Sequence, residues 1–246
     1  MTGKFCDLYI ETDMGRGSVS PEEAISFSEE IGTDTVAVCD RENRINDFQS
    51  YTESIKEVER TSEVRFLPGT VIDPENPRDM KNRVSELREK VMILGVEGGD
   101  PEINRAASED PRIDFIADPG KGRKDCGIDH VIARKCSENR VFILERFRRL
   151  LKETGKKRVH GLKDIREHIR LSRKYGSEMV IASGAREKYE MRNPRDMAAL
   201  AESLGAGRER SLKMVRENPG KMIRRAEKVF SDGYVNPGVE VVDDGS

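Results

Sequence analysis

Short apolar runs rich in β-branched residues recur seven times along the chain, separated by segments with helical spacing. Several runs are almost continuously hydrophobic, which is typical of parallel strands that are buried on both faces. The runs are FCDLYI from residue 5, TVAVC from 35, VRFL from 64, VMILGV from 91, IDFIA from 113, VFIL from 141 and EMVIAS from 178. Seven strands that alternate with helices predict an α/β barrel or a doubly wound parallel sheet.

Several helix starts are marked by side chains that suit capping. Ser20 is followed by proline, and Glu23 stands at the spacing of a capping box, so we predict a helix that runs to Gly32. The sequence NPRDM occurs at 76–80 and again at 193–197. An Asn cap, a proline and an acidic third residue indicate two further helix starts rather than a duplicated unit.

The residues after the last helical pattern differ in composition from the rest of the chain. An amphipathic helix opens in ENPGKM at 217–222 and is expected to end near Phe230, whereas the remainder is polar and glycine-rich. We therefore predict a single α/β domain over 1–230 and a flexible tail over 231–246.

The net charge of −2 hides an asymmetry between the two halves of the chain. Residues 1–120 carry 14 Lys or Arg and 27 Asp or Glu, whereas residues 121–246 carry 30 and 19. A basic half suggests contact with a polyanion, because phosphate binding uses clustered Lys and Arg and releases counterions. A mixture of solvated helix faces would give the same composition.

Composition also narrows the class of protein. Hydrophobic residues make up 35% of the chain and charged residues 37%, which suits one core beneath a densely ionic surface. No apolar run approaches the ~20 residues that span a bilayer, and the first residues lack a signal-peptide layout, so we expect a cytoplasmic protein without membrane contact. Cysteines at 6, 39, 126 and 136 lack metal-binding spacing and are expected to be reduced.

The first strand carries Asp7, Tyr9 and Glu11 at alternating positions. It resembles the Asp-Leu-His-x-His strand of the polymerase-and-histidinol-phosphatase (PHP) family of metal-dependent phosphoesterases, which implies a PHP-like, TIM-barrel-like α/β barrel of about seven parallel strands with surrounding helices. Where that family's last strand ends in Ser-Asp-Ala-His, this chain has Ser-Gly-Ala-Arg, with Gly184 and Arg186 at the ligand positions. Tyrosine, glycine and arginine do not replace metal-binding histidines, so we expect neither catalytic residues nor a metal site in this chain.

An alternative interpretation is a stand-alone PHP-type phosphoesterase with a degenerate or relocated metal site. Its ligands would come from Asp7, Glu11, Asp40 and His130, since Asp40 ends the second strand and could approach Glu11. Carboxylates at the rim of a barrel are nevertheless common without catalysis. Metal content and phosphoesterase turnover distinguish the two interpretations.

Three longer segments carry a more specific resemblance. They are GRKDCGIDHVIARKC at 122–136, RVFILERFRRLLK at 140–152 and VIASGAREKYEMRNPRDMAALAESLG at 180–205. These segments resemble the archaeal and eukaryotic p30 subunit family of ribonuclease P, and the resemblance extends over most of the chain. It implies a metal-free barrel that assists a catalytic RNA, with its own Mg²⁺, in removing the 5′ leader from precursor tRNA. The implied partners are the ribonuclease P RNA, precursor tRNA and the other proteins of the enzyme, especially component 2.

Basic residues in two predicted strand-end loops are the candidates for RNA binding. The first loop is glycine-rich and opens a helix, where free backbone N–H groups also favour phosphate. Because strand-end loops of one barrel project toward the same face, we expect both loops to form one surface. The candidate set is Lys121, Arg123, Lys124, His130, Arg134, Arg186, Lys188, Arg192 and Arg195.

Other interpretations of these cations remain open at the level of sequence. The first loop could be an ordinary solvated loop, and Arg195 could pair with Asp196 or Glu190 at a helix start. Further basic clusters occur at 146–152 and 156–158. The chain has no tryptophan and few aromatic residues outside apolar patterns, so we expect contacts to backbone charge and RNA shape rather than base stacking.

Overall fold

A computed structural model of the chain describes residues 4–230, 234–236 and 239–240. All seven predicted strands are present, and helices alternate with them. The strands are β1 (Cys6–Ile10), β2 (Thr35–Arg41), β3 (Arg65–Ile72), β4 (Ile93–Glu97), β5 (Phe115–Ala117), β6 (Phe142–Arg146) and β7 (Met179–Ala182). The helices are α1 (Pro21–Ile31), α2 (Phe48–Glu59), α3 (Pro77–Leu87), α4 (Pro101–Glu109), α5 (His130–Asn139), α6 (Phe147–Lys152), α7 (Gly155–Tyr175), α8 (Pro194–Ser203), α9 (Arg208–Lys213) and α10 (Glu217–Val229).

The seven strands pair in chain order, every pair parallel, and curl into a nearly closed barrel. The segment after β7 returns to β1. There the Gly184 amide donates to the Tyr9 carbonyl at 2.9 Å, and the Glu11 amide donates to the Ala185 carbonyl at 2.8 Å. The closure confirms the barrel and excludes the doubly wound sheet.

Helix α10 fills the end of the barrel at which the strands begin. Its Met222, Ile223 and Ala226 pack into the same buried cluster as the inward-facing side chains of β1 to β7. Cys6 and Cys39 belong to this cluster, and all four cysteines are free thiols, as expected. Helix α10 therefore closes this end of the barrel with apolar side chains.

The helix starts follow the predicted chemistry. Ser20 and Glu23 form the complete capping box of α1, and Gly32 ends that helix in the left-handed conformation at φ 73°. Asn76 and Asn193 cap α3 and α8 through their side-chain oxygens. Within the described ranges, none of the helices is both long and apolar enough to cross a membrane.

The predicted flexible tail over 231–246 lies largely outside the described residues. The two short described stretches, β8 (Tyr234–Asn236) and β9 (Val239–Glu240), pair antiparallel with each other.

Candidate nucleic-acid interface

The carboxyl ends of the strands meet at one end of the barrel, called here the barrel mouth and formed by Tyr9, Glu11, Glu97, Asp118, Arg146 and Arg186. Arg186 Nη2 donates to Glu11 Oε1 at 2.7 Å, so a guanidinium lies where the PHP resemblance places a metal ligand. Gly184 adopts φ 64°, and a Cβ there would come within 2.7 Å of Arg146 Cβ. The glycine therefore leaves room for the Arg146 side chain.

Arg146 is the centre of the barrel mouth. Its Nε donates to Asp118 Oδ2 at 2.6 Å, its Nη2 to Glu97 Oε1 at 2.7 Å and its Nη1 to the Tyr9 hydroxyl at 3.1 Å. The guanidinium also lies 5.1 Å from the centre of the Tyr9 ring. Burial opposes ionisation of Glu97, but Arg146, Lys121 and Arg41 outweigh it and hold the pKa of Glu97 well below its usual range. Fixed cations thus neutralise the carboxylates that a metal ion would otherwise need.

The remaining buried carboxyl groups near the mouth also have protein partners. Asp40 accepts from the Thr12 amide at 2.8 Å and the Thr12 hydroxyl at 2.7 Å, and Asp7 accepts from the Ser183 amide at 2.9 Å. Burial raises the pKa of Asp40 to about 7 and that of Asp7 to about 6. Both groups hold loops against the barrel end.

The structure does not bring together the four metal ligands proposed for a stand-alone phosphoesterase, which are Asp7, Glu11, Asp40 and His130. Glu11 and Asp40 are bound to Arg186 and Thr12, whereas His130 lies against Tyr175 beside the end of α7, with 6.3 Å between the ring centres. Over the described part of the chain, no group of three or more His, Cys, Asp or Glu side chains could hold a metal ion. The residues at the mouth therefore do not fit the metal cluster of the PHP family.

The loop between β5 and α5 carries three predicted RNA-binding residues, which differ in availability. Lys121 Nζ lies 2.5 Å from Glu97 Oε1, and Arg123 forms two hydrogen bonds with Asp125, at 2.6 and 2.8 Å. Lys124 is exposed, and within 4–230 no acidic group pairs with it. Of the three, Lys124 is therefore the cation available without breaking an ion pair.

The helix that follows this loop carries two more predicted residues. Asp129 accepts from the Val131 and Ile132 amides at 2.9 and 2.8 Å, so it caps α5. His130 and Arg134 are both exposed and both lie against Tyr175 of α7, with the Arg134 guanidinium 5.4 Å from that ring centre. These two residues therefore lie at the end of α7, and Lys124 lies beside the exposed face of the same helix.

The predicted residues after β7 do not share one face, contrary to the sequence expectation. Lys188 lies over the Phe27 ring of α1 at 5.0 Å, and Arg192 donates to the Tyr189 carbonyl at 2.6 Å. Arg195 lies 5.3 Å from the Phe5 ring, next to the start of β1 and so at the end opposite Arg186. The discrepancy arises because residues 187–193 run along the outside of the barrel before α8 begins.

The alternative that Arg195 forms an ion pair with Glu190 is wrong. That carboxylate instead accepts a hydrogen bond from Arg148 Nε at 2.6 Å and forms an ion pair with Lys152, whose Nζ lies 2.5 Å from Glu190 Oε1. Two of the cations that the sequence grouped at 146–152 are thus used to fix the segment after β7 to α6.

Sequence reasoning missed the buried His168 of α7. Its Nδ1 lies 2.5 Å from Glu145 Oε1, and its Nε2 lies 2.7 Å from the Cys126 carbonyl. Burial opposes the charged ring, but the Glu145 carboxylate and the Cys126 carbonyl outweigh it and raise the pKa of His168 to about 10. The signal in the sequence was its position on the apolar stripe with Ile165 and Ile169, which pointed inward.

Sequence reasoning also understated α7 itself. This helix has 21 residues, eight of them Lys or Arg and only two Asp or Glu, yet only its first three cations were noted as a cluster. Lys163, Arg166, Arg170 and Arg173 recur at helical spacing along an exposed face, which is the signal that could have found it.

Comparison with known proteins identifies a family and relatives that share most of this chain. The sequence profile of a family described as RNase P subunit p30 matches residues 4–229. Ribonuclease P protein component 3 of Methanocaldococcus jannaschii is 34% identical over 194 residues, which cover 77% of this chain and 81% of that protein.

Two solved structures report on the fold. A chain in a cryo-EM structure of archaeal ribonuclease P with mature tRNA superposes with a TM-score of 0.83 and 28% identity, covering 97% of this chain and 99% of that one. A histidinol phosphate phosphatase from Lactococcus lactis, solved with zinc, L-histidinol and phosphate, has a TM-score of 0.57 at 9% identity over 91% of this chain and 94% of its own, which shows a shared fold alone. On the family match over nearly the whole chain, this protein belongs to the RNase P subunit p30 family.

Proposed function

We propose that this chain is a protein subunit of ribonuclease P that binds and supports the catalytic RNA during removal of the 5′ leader from precursor tRNA. The observation that carries the proposal is the barrel mouth, where Arg146 and its carboxylate partners fill the position of a metal cluster. A site filled by ion pairs has no open coordination position and no activated nucleophile. The chemistry accordingly belongs to the RNA and to Mg²⁺ bound there, and this chain supplies binding.

Binding proceeds through backbone charge and RNA shape. Candidate contacts are the predicted residues Lys121, Arg123, Lys124, His130, Arg134, Arg186, Lys188, Arg192 and Arg195. Of these, His130 and Arg134 lie against Tyr175 of α7, and Lys124 lies beside the exposed face of the same helix. Residues that already pair with a carboxylate, such as Arg123 and Arg186, must exchange that partner for a phosphate. Contacts from the unpaired cations therefore dominate the affinity.

The protein partners in this proposal are the other ribonuclease P proteins, component 2 in particular. The family resemblance supports that choice. Co-purification of this chain with component 2 in the absence of RNA tests it directly, and failure of the pair to associate at micromolar concentration contradicts it.

Reconstitution of precursor-tRNA cleavage tests the proposed function. The RNA and the remaining proteins are assembled with and without this chain, and the cleavage rate, the Mg²⁺ requirement and the precursor-tRNA affinity are measured. Omission should slow cleavage and raise the Mg²⁺ concentration needed for half-maximal rate, because protein cations that neutralise phosphates are lost. The proposal fails when all three quantities are unchanged by omission, or when the RNA-free chain cleaves precursor tRNA by itself.

A further inference from the structure

The exposed face of α7 forms one wall of a concave surface, called here the α7 groove. The cations of that wall are Lys163, Arg166, Arg170 and Arg173, and Lys124 comes from the loop before α5. The cavity between them has a volume of about 600 Å³. At a rise of ~1.5 Å per residue, the four cations of α7 span roughly 15 Å along the helix.

Most of these cations have no acidic partner. Arg170 forms two hydrogen bonds with Glu167, and the other acidic residue of the helix, Asp164, pairs with Arg149 at 2.9 Å. Throughout 4–230, no ion pair involves Lys124, Lys163, Arg166 or Arg173. The groove therefore presents four uncompensated positive charges to solvent.

The two walls of the groove are fixed to each other. His168 of α7 binds the Cys126 carbonyl two residues after Lys124, and Asn104 Nδ2 holds the Pro119 and Gly127 carbonyls of the same loop at 3.0 Å each. Gly127 adopts φ 74°, and a Cβ there would come within 1.9 Å of the Pro119 carbonyl oxygen. A pre-formed array of cations loses little conformational entropy when a ligand binds.

The lining of the groove indicates what kind of ligand it fits. Its apolar members are Cys126, Ile169, Leu204 and Gly205; among the described residues its one ring is the imidazole of His160, and no Phe, Tyr or Trp lines it. Protein partners are usually anchored by aromatic or aliphatic side chains at the centre of an interface, and single-stranded nucleic acid is bound on aromatic stacking platforms. The groove offers no Phe, Tyr or Trp platform, and of its two aliphatic side chains Ile169 is buried and Leu204 is half-buried. A row of unpaired cations instead suits a line of phosphates.

We infer that the α7 groove binds the sugar–phosphate backbone of a base-paired segment of the ribonuclease P RNA. This inference rests on the proposed function and assigns the contact to residues that lie mainly outside the two strand-end loops. Recognition is by phosphate position and helix shape, so substitution of one base pair for another in the bound segment leaves the affinity unchanged.

The test compares two variants with equal loss of charge. The groove variant combines Lys124→Ala, Lys163→Ala, Arg166→Ala and Arg173→Ala. The control variant combines Arg44→Ala, Lys56→Ala, Arg60→Ala and Lys81→Ala, four exposed cations of the acidic half with the same two lysines and two arginines. Each is assembled with the other proteins, and the affinity for the ribonuclease P RNA is measured from low to high salt.

The groove variant should weaken RNA binding by roughly tenfold or more at ~0.15 M salt and reduce the log–log salt slope by up to about 3.6, because each of the four lost phosphate contacts removes ~0.7–0.9 from the slope. The control variant should bind within about twofold of the unmodified protein. Equal behaviour of the two variants overturns the inference. Circular dichroism melts of both confirm that each is folded.

Two further readouts separate this inference from the proposed function. If omission of the whole chain impairs cleavage but the groove variant does not, the proposed function stands and the groove assignment fails. A photoreactive amino acid at position 163, compared with one at position 56, identifies the neighbour directly. Cross-linking to a paired segment of the RNA from position 163 alone supports the inference, whereas cross-linking to another protein or to a single-stranded loop refutes it.

Discussion

Arg146 in the barrel mouth and Arg166 in the α7 groove both belong to the basic half of the chain, but their surroundings are opposite. Arg146 is buried and has hydrogen bonds to Asp118, Glu97 and the Tyr9 hydroxyl. Arg166 is exposed, and the described residues offer it no acidic partner. The net positive charge of this half of the chain therefore includes buried, paired arginines such as Arg146 and exposed, unpaired ones such as Arg166. Only the exposed, unpaired arginines can bind an external anion without disrupting the fold.

The ion pairs of the barrel mouth also explain why its carboxylates do not fit a metal cluster. A divalent ion binds carboxylates because their charge is uncompensated, and it competes poorly with guanidinium groups that already form bidentate hydrogen bonds. Arg146 donates hydrogen bonds to both carboxylate oxygens of Glu97, at 2.7 and 3.0 Å, and Arg186 donates one to Glu11 Oε1. The mouth is thus a buried structural network, and the accessible charge lies on the outer helices.

The largest expected effect comes from removing the central cation of the mouth. Arg146→Met leaves Glu97 and Asp118 buried without their main partner, so the free energy of unfolding should fall by about 3–5 kcal/mol. Arg166→Met, which removes the same charge from the α7 groove, should change it by less than about 0.5 kcal/mol. Urea denaturation followed by circular dichroism measures both. Similar urea midpoints for the two variants would show that paired and unpaired arginines contribute equally to the stability of the fold.

A smaller effect is expected from pH, through the buried pair of His168 and Glu145. The pKa of His168 is raised in the folded protein to about 10, so the pair stabilises the fold fully below the unfolded value of 6.5 and loses that contribution as pH rises toward 10. Stability should therefore fall by roughly 2 kcal/mol between pH 7 and pH 9, since each pH unit in this window contributes up to ~1.4 kcal/mol.

Glu145→Gln provides the control for this pH dependence. Glutamine keeps an oxygen acceptor for the His168 ring but removes the charge that raises its pKa, so the loss of stability between pH 7 and pH 9 should become shallower. Urea midpoints at several pH values and an NMR titration of the ring test the effect. An unchanged pH profile in the variant would show that the two groups are not electrostatically coupled.

The smallest expected effect is a difference in the salt dependence of RNA binding between substitutions of two adjacent loop residues, Arg123 and Lys124. Lys124→Ala removes an unpaired cation and should lower the salt slope of RNA binding by about 0.7–0.9, whereas Arg123→Ala removes a charge that Asp125 already compensates and should lower it by less. Filter binding from low to high salt resolves this difference. A larger loss for Arg123 would mean that its bond to Asp125 opens on the RNA.

The sequence was sufficient for the features that depend on neighbouring residues. Continuous apolar runs marked all seven strands, and Ser20, Asn76 and Asn193 marked helix starts, because periodicity and capping are fixed within a few residues of chain. The absence of metal ligands at Tyr9 and Arg186 could likewise be read from residue types. These local signals, together with the long segments shared with the p30 family, determined the fold and the family.

The tertiary structure alone decided which charges are free. Arg146 and the Tyr9 hydroxyl are 137 residues apart in sequence yet 3.1 Å apart in space, and no local pattern reveals such a pair. For the same reason the sequence placed Arg195 on the wrong face and overlooked the bond between His168 and the Cys126 carbonyl. Charge availability depends on distances between remote segments, because Coulomb energies fall with separation and with solvent screening, and those distances exist only once the barrel has closed.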